Sequence, residues 1–362
     1  MHMSLYTRFI KPILFRFDPE DVHDSVIALG ALCGRYAWSR LLVKQLFYYS
    51  LPSLHQTLLG LEILHPVGLA AGFDKNAELV DIMPSVGFGH MEVGSVTSLP
   101  CEGNPRPRLW RLKQSQGLVV YYGLKNDGVV RIHKKLLGKS HAIPLCISIA
   151  MTNCPENIDL HNAVADYVHS FKLCVDVGDS VTINISCPNT CGGQPFMEPD
   201  ALELLLSALD GIETKKPIFV KLSPDKDSHH VDALLDVIAI HRVHGIICSN
   251  LTKKRNNPHI IDANVPAVGG VSGKPVQDMS DELLAYVYKK TQGKYVLVGC
   301  GGVFTAEDAY RKIRLGASLV QMITGMIFEG PAVIGNIHKD LAMLLQKDGF
   351  KSISDAVGVD VR

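Results

Sequence analysis

From residue 60 onward, short apolar runs alternate with segments of helical periodicity, and this alternation constrains the fold more than any other feature. The runs are Val67–Ala71, His90–Gly94, Leu145–Ile149, Val181–Ile185, Ile218–Lys221, Gly245–Cys248, Val296–Gly299 and Ser318–Ile323. Between them, Ala201–Ile212, Val231–His241, Ser280–Thr291 and Ala306–Leu315 carry apolar residues at helical spacing. Short strands buried on both faces and separated by helices are the pattern of parallel βα units. Eight of them, with no Gly-x-Gly-x-x-Gly turn after the first, favour a closed barrel over an open doubly wound sheet. The expected fold class is α/β, a (β/α)8 TIM barrel with an N-terminal helical extension.

Three segments follow from this pattern. Residues 1–50 are a helical module, 51–345 the barrel, and 346–362 a loosely ordered C-terminal tail. In the module, Leu5, Phe9, Ile13, Phe17, Val26, Leu29 and Leu32 recur at helical spacing among Arg8, Lys11, Arg16, Arg35, Arg40 and Lys44. Asp18-Pro19-Glu20-Asp21 predicts a helix start, with a carboxylate cap, proline in the first position and acids in the first turn. Apolar stripes with basic flanks suit helices lying at a membrane surface; the same stripes suit a cap packed on the barrel. Residues 95–135 and 186–200 are long for barrel loops, which points to function.

Composition excludes several classes. Lys plus Arg equals Asp plus Glu at 36 each, so no basic field draws nucleic acid. The nine cysteines form no Cys-x-x-Cys pair and no zinc spacing, so no metal is expected. A chain of this size needs no disulfides, and a reducing compartment is expected. No secretory signal is evident, and no uncharged stretch reaches the roughly 18–20 residues that span a bilayer. The chain is expected to be soluble or peripheral.

A barrel of this kind carries its active site at the C-terminal strand ends. The first run ends in Ala71-Gly72-Phe73-Asp74-Lys75, the second in Gly94-Ser95 and the fourth in Asn184-Ile185-Ser186-Cys187-Pro188-Asn189. The others end in Lys221, Ser249-Asn250, Gly299-Cys300-Gly301-Gly302 and Thr324-Gly325. Gly269-Gly270, Gly301-Gly302 and Thr324-Gly325 suit a phosphate bound by backbone N–H groups, although tight strand-to-helix turns also need glycine. Lys75 and Lys221 are cations that could stabilise a reduced flavin, or form salt bridges across the barrel mouth. Asn184, Asn189 and Asn250 could grip a small planar substrate, or serve as turn residues. Cys187 is the candidate base for a proton on carbon, with a structural thiol or a redox pair with Cys191 as the other readings. Hydrolase and P-loop motifs are absent.

These residues are where a family resemblance enters. Leu69–Lys75, Asn184–Thr190, Val220–Asp225, Gly269–Gly273 and Gly299–Val303 resemble dihydroorotate dehydrogenase motifs, in an order and spacing that hold from roughly residue 5 to 340. Phe17–His23 and Pro107–Leu112 resemble the quinone-dependent class, which has a helical membrane-docking extension. The resemblance implies FMN-dependent oxidation of dihydroorotate to orotate in pyrimidine synthesis, with quinone as acceptor. It also implies a peripheral place at the anionic cytoplasmic face of a bacterial inner membrane. By position, Ala71, Gly72, Lys75, Ser95, Ser148, Asn184, Lys221, Ser249, Gly270, Gly301, Thr324 and Gly325 hold FMN. Lys75, Asn184, Asn189 and Asn250 hold the substrate, Cys187 takes the C5 proton, and His23 and Arg111 line the quinone tunnel.

The chain also departs from the pattern. Cys187 stands where the quinone class has serine. Val120 replaces a substrate-binding asparagine, and Ser148 an FMN-contacting one. Leu251 replaces a hydroxyl residue, and Ile323 a tyrosine near the flavin. Two further readings follow: an FMN oxidoreductase of the same fold acting on another small cyclic or unsaturated substrate, and a flavin-binding, membrane-docked protein without turnover.

Overall fold

Asp18 opens the first long helix as its sequence predicts. Its carboxylate accepts the backbone N–H groups of Glu20 and Asp21 at 2.8 and 3.1 Å, satisfying two donors that a helix start leaves unpaired. The computed structural model describes residues 5–190 and 192–361. The helix, α1 (Pro19–Arg35), is followed by α2 (Ala37–Phe47) at an angle of 113°. No single helix among the described residues is long and apolar enough to cross a membrane.

The barrel strands are β1 (Val67–Leu69), β2 (Met91–Val96), β3 (Leu145–Ile149), β4 (Ser180–Ile183), β5 (Ile218–Leu222), β6 (Gly245–Cys248), β7 (Val296–Cys300) and β8 (Leu319–Met322). All neighbours are parallel, and β8 returns to β1 through Val320↔Val67 and Met322↔Leu69, which closes the sheet. Each of the eight predicted runs coincides with one of these strands. Buried side chains of strands and outer helices form one continuous apolar layer, while Phe219, Ile247, Val298 and Leu319 with Ile63 fill the N-terminal end of the barrel. The hairpin Gln56–Leu58/Leu61–Ile63 contributes Ile63 to this plug.

Two segments differ from expectation. Residues 95–135 are not merely a loop: Leu109–Leu112 and Gly117–Val120 form an antiparallel hairpin, joined by Gly270–Gly273 through Gly270↔Val120. The residues after 346 are packed rather than loose. Ile353 and Ala356 are fully buried, Gly358 N–H donates to the Ile313 carbonyl at 3.0 Å, and Arg314 meets Asp360 at 2.6 Å. Two apolar residues anchor this short tail, too few to register as a periodic pattern.

The N-terminal module grips the barrel through charge and through the packing of Phe15, Ile27, Cys33 and Val43. Glu20 is 2% exposed and receives the guanidinium of Arg108 at 2.9 Å, with Arg106 at 3.2 Å. The apolar stripe faces outward instead: Leu5, Phe9, Phe17, Leu29, Trp38 and Leu46 are each more than half exposed. Burial pushes the Glu20 carboxyl up, but Arg108, Arg106 and Lys125 outweigh it and hold it at about 2. A folded value below the ordinary 4.5 stabilises the fold above that pH, and this stabilisation is lost as pH falls from about 4.5 toward 2. Glu20→Gln is therefore expected to cost about 3 kcal/mol at neutral pH by leaving Arg108 buried and unpaired, and much less near pH 2. Urea unfolding at both pH values checks this; equal stability of parent and variant at pH 7 would rule out the clamp.

Candidate active site

The C-terminal strand ends and the hairpin over them enclose one apolar-walled cavity of about 1280 Å3, counted out to its open mouth. Its lining includes Ala71, Gly72, Lys75, Ser95, Asn184, Cys187, Asn189, Lys221, Ser249, Asn250, Gly301, Thr324, Gly325 and His23. Ser148, Gly270 and Arg111 stand outside it. Ser148 is one step behind the wall, its Oγ 2.8 Å from Ser95 Oγ. Gly270 packs against Leu251 and Pro188. Arg111 is turned to the N-terminal module, donating to the Phe17 carbonyl at 2.8 Å and lying 4.6 Å over the Phe15 ring. Cys191 lies outside the described residues.

The glycine corner has a steric explanation. Gly302 has φ +73°, and a Cβ there would overlap Gln277; a Cβ on Gly325 would overlap the Val303 carbonyl oxygen. Only bare backbone lets these turns press together at the cavity wall. Ser272 and Thr324 add hydroxyls 2.9 Å apart. A corner of backbone and hydroxyl donors fits a phosphate.

The three asparagines are organised, not scattered. Asn184 Nδ2 donates to Ser95 Oγ at 2.8 Å, and Asn250 Nδ2 donates to Asn184 Oδ1 at 3.1 Å and to the Ser186 carbonyl at 3.0 Å. Asn189 Nδ2 donates to the Val120 carbonyl at 2.9 Å, while its Oδ1 is buried without a partner. A buried amide oxygen in that state costs about 1–3 kcal/mol, which a ligand N–H recovers.

The two lysines differ. Lys75 makes no ion pair with Asp74, whose carboxylate instead accepts Glu78 and Leu79 N–H at 2.9 and 2.8 Å. Its ammonium sits 4.0 Å over the Tyr122 ring, and burial pulls its pKa down to about 8. Lys221 has Glu92 at 4.0 Å. Burial pushes the Cys187 thiol up to about 11, against the Asn189 N–H and the Lys253 charge, so it is protonated at neutral pH. His23 Nε2 donates to the Phe73 carbonyl at 2.8 Å; burial and then Lys75 hold its pKa at about 4, so the ring is neutral.

Sequence reasoning missed Tyr122, Gln321, Glu92 and the Glu20–Arg108 clamp. Gln321 and Glu92 carried a signal, since each is a polar residue inside an otherwise apolar strand. Tyr122 and Arg108 carried none, because their roles depend on how the hairpin folds over the barrel.

The comparisons agree with this geometry. The dihydroorotate dehydrogenase family model matches residues 53–345. A protein of Gloeobacter violaceus named dihydroorotate dehydrogenase (quinone) is 38% identical over 357 residues, covering 98% of this chain and 99% of its own. One of the same name from Natronomonas pharaonis is 38% identical over 360 residues, covering 99% and 100%. The crystal structure of the Eimeria tenella enzyme in complex with ferulenol superposes with a TM-score of 0.85 at 31% identity, covering 95% of this chain and 96% of that one. A shared barrel and full-length similarity leave one assignment: this chain belongs to the dihydroorotate dehydrogenase family.

Proposed function

We propose that the chain oxidises dihydroorotate to orotate for pyrimidine biosynthesis, with FMN as bound cofactor and a membrane quinone as electron acceptor. One observation carries the reading: three asparagines, two of them hydrogen-bonded to each other, a thiol and two ammonium groups face a single cavity beside a glycine-built corner suited to a phosphate. FMN rather than a dinucleotide suits one such corner and the lack of a dinucleotide fingerprint. When bound, FMN supplies the acceptor for the hydride leaving C6 and relays the electrons to quinone.

The chain's own residues do the rest. Ala71, Gly72, Ser95, Lys221, Ser249, Gly301, Thr324 and Gly325 hold the cofactor, with Ser148 supporting Ser95 and Gly270 shaping the loop beside Leu251. Asn184, Asn189 and Asn250 orient the substrate's imide and carboxylate, and Asn189 Oδ1 accepts an imide N–H. Cys187 removes the C5 proton. Lys75 places positive charge near cofactor and substrate, and an anionic ligand raises its lowered pKa. His23 reaches the cavity from α1, and Arg111 lies outside its lining against Phe15 and Phe17 of the N-terminal module; both are assigned to quinone. The stripe and its basic flanks support docking at an anionic membrane face, peripheral to the bacterial inner membrane.

A second reading has a specific observation behind it: Val120 and Leu251 present apolar side chains among the polar substrate contacts. These favour the same chemistry on another small cyclic or unsaturated substrate. Anaerobic titration of the yellow protein separates the readings. Bleaching by dihydroorotate, with FMN released on denaturation, is the expected result. Bleaching only by other donors supports the second reading, an inert flavin indicates a protein without turnover, and recovery of FAD or no flavin refutes the cofactor assignment.

A further inference from the structure

Within the barrel one carboxylate has no hydrogen-bond donor. Glu92 of β2 is 0% exposed, and neither of its carboxylate oxygens has a hydrogen-bond partner. Its neighbours Met91 and Val93 join the layer between strands and helices, so strand alternation turns Glu92 inward. An isolated buried carboxylate costs several kcal/mol, so a charge there needs a counter-charge. Among the described residues, the cation that reaches it is Lys221 of β5, with Nζ 4.0 Å from Glu92 Oε2 and its side chain in the cavity lining.

We propose that Glu92 is a positioning residue that keeps Lys221 protonated and aimed into the cavity, so that a bound flavin meets a full positive charge. The inference rests on the flavin reading above and adds a residue to it. The two cavity lysines make the case by contrast. Both are buried. Lys75 has no ion pair among the described residues and its pKa falls to about 8, whereas Lys221, facing Glu92, is raised despite its burial. The other groups facing Lys221 do not substitute for the carboxylate. Burial pushes the thiols of Cys146 on β3 and Cys300 on β7 up, Cys146 to about 12, so both are uncharged at neutral pH. Lys312, whose charge reaches Cys300, is tied to Asp281 at 2.6 Å. Glu92 is thus the one anion facing Lys221 among the described residues. A lysine buried without such a partner loses its proton several units early.

The test reads Lys221 itself. In apoprotein carrying 13Cε-labelled lysine, with the Lys221 signal identified by its loss in Lys221→Arg, the parent's Lys221 should remain an ammonium through pH 9. In Glu92→Gln its titration should move down by at least ~1 unit, while the Lys75 signal titrates as in the parent. FMN affinity, measured by quenching of flavin fluorescence, should then weaken more between pH 7 and 9 in the variant than in the parent, since Lys75 titrates over that range in both. Should Glu92→Gln fail to fold, Glu92→Asp is read instead, with a smaller downward shift expected. A neutral Lys221 in the parent at pH 8, or a variant whose Lys221 titrates like the parent's, overturns the proposal, and a Glu92 that merely supports the fold gives the latter. If the parent takes up no FMN at any pH, the flavin reading fails while the lysine titration still decides the role of Glu92.

Discussion

Cys187→Ala is expected to retain its flavin and to be reduced by dihydroorotate at least ~100-fold more slowly than the parent, the lower range for losing a general base. The cavity explains both halves of this result. Cys187 follows β4 beside the asparagines assigned to the substrate, whereas Lys221 and the glycine corner assigned to the phosphate belong to other strands, so cofactor retention is not expected to depend on the thiol. The buried thiol's pKa of about 11 also sets a pH dependence. At pH 7 only about one thiol in ten thousand is ionised, and each further unit raises that fraction about tenfold. Flavin reduction in the parent should therefore climb steadily from pH 7 toward 10, and Cys187→Ser should keep part of the activity with its rise displaced to higher pH. Stopped-flow flavin absorbance under anaerobic conditions measures all three proteins. Parent-like reduction of the alanine variant would assign the proton to another group.

Leu29→Glu combined with Leu46→Glu is expected to lower binding to anionic vesicles at least ~10-fold and to slow reoxidation by a short-chain quinone, without slowing reduction by substrate. Both leucines are more than 60% exposed, at 61% and 64%, so neither change disturbs packing against the barrel. Burying a leucine in an apolar medium contributes about 1.5–3 kcal/mol, and replacing it with a carboxylate removes that gain and adds repulsion from anionic headgroups. Arg8, Lys11, Arg35, Arg40 and Lys44 should make the parent's binding weaken with added salt. Point changes are preferable to removing residues 1–50, because truncation strips Glu20 from Arg108 and leaves a buried guanidinium unpaired. Co-sedimentation with vesicles and quinone-dependent flavin reoxidation are the two measurements. A parent that ignores anionic vesicles, or a variant that binds them equally well, would mean that the outward stripe serves something other than a membrane.

Local rules carried the barrel and much of its cavity. Strand alternation, helical spacing and the Asp18-Pro19 cap act over a few residues, and the eight strands and the α1 start follow directly from them. Glycines and amides at strand ends were legible for a related reason: a parallel barrel brings every C-terminal strand end to one face, so position along the chain already implies proximity. The docking of the hairpin over the cavity was not legible, because it depends on the antiparallel pairing of Gly270–Gly273 with Gly117–Val120, which joins segments about 150 residues apart. Whether the N-terminal stripe faced the barrel or solvent was also undecidable from spacing, since an amphipathic pattern specifies a face and not what covers it. The tertiary structure turned that stripe outward by placing Glu20 against Arg108 and packing Ile27, Cys33 and Val43 on the barrel core. Charge states lay furthest from the sequence. Lys75 follows β1 and Lys221 lies within β5, and only their surroundings separate their charge states: burial lowers the pKa of Lys75, whereas the charge of Glu92 outweighs burial and raises that of Lys221.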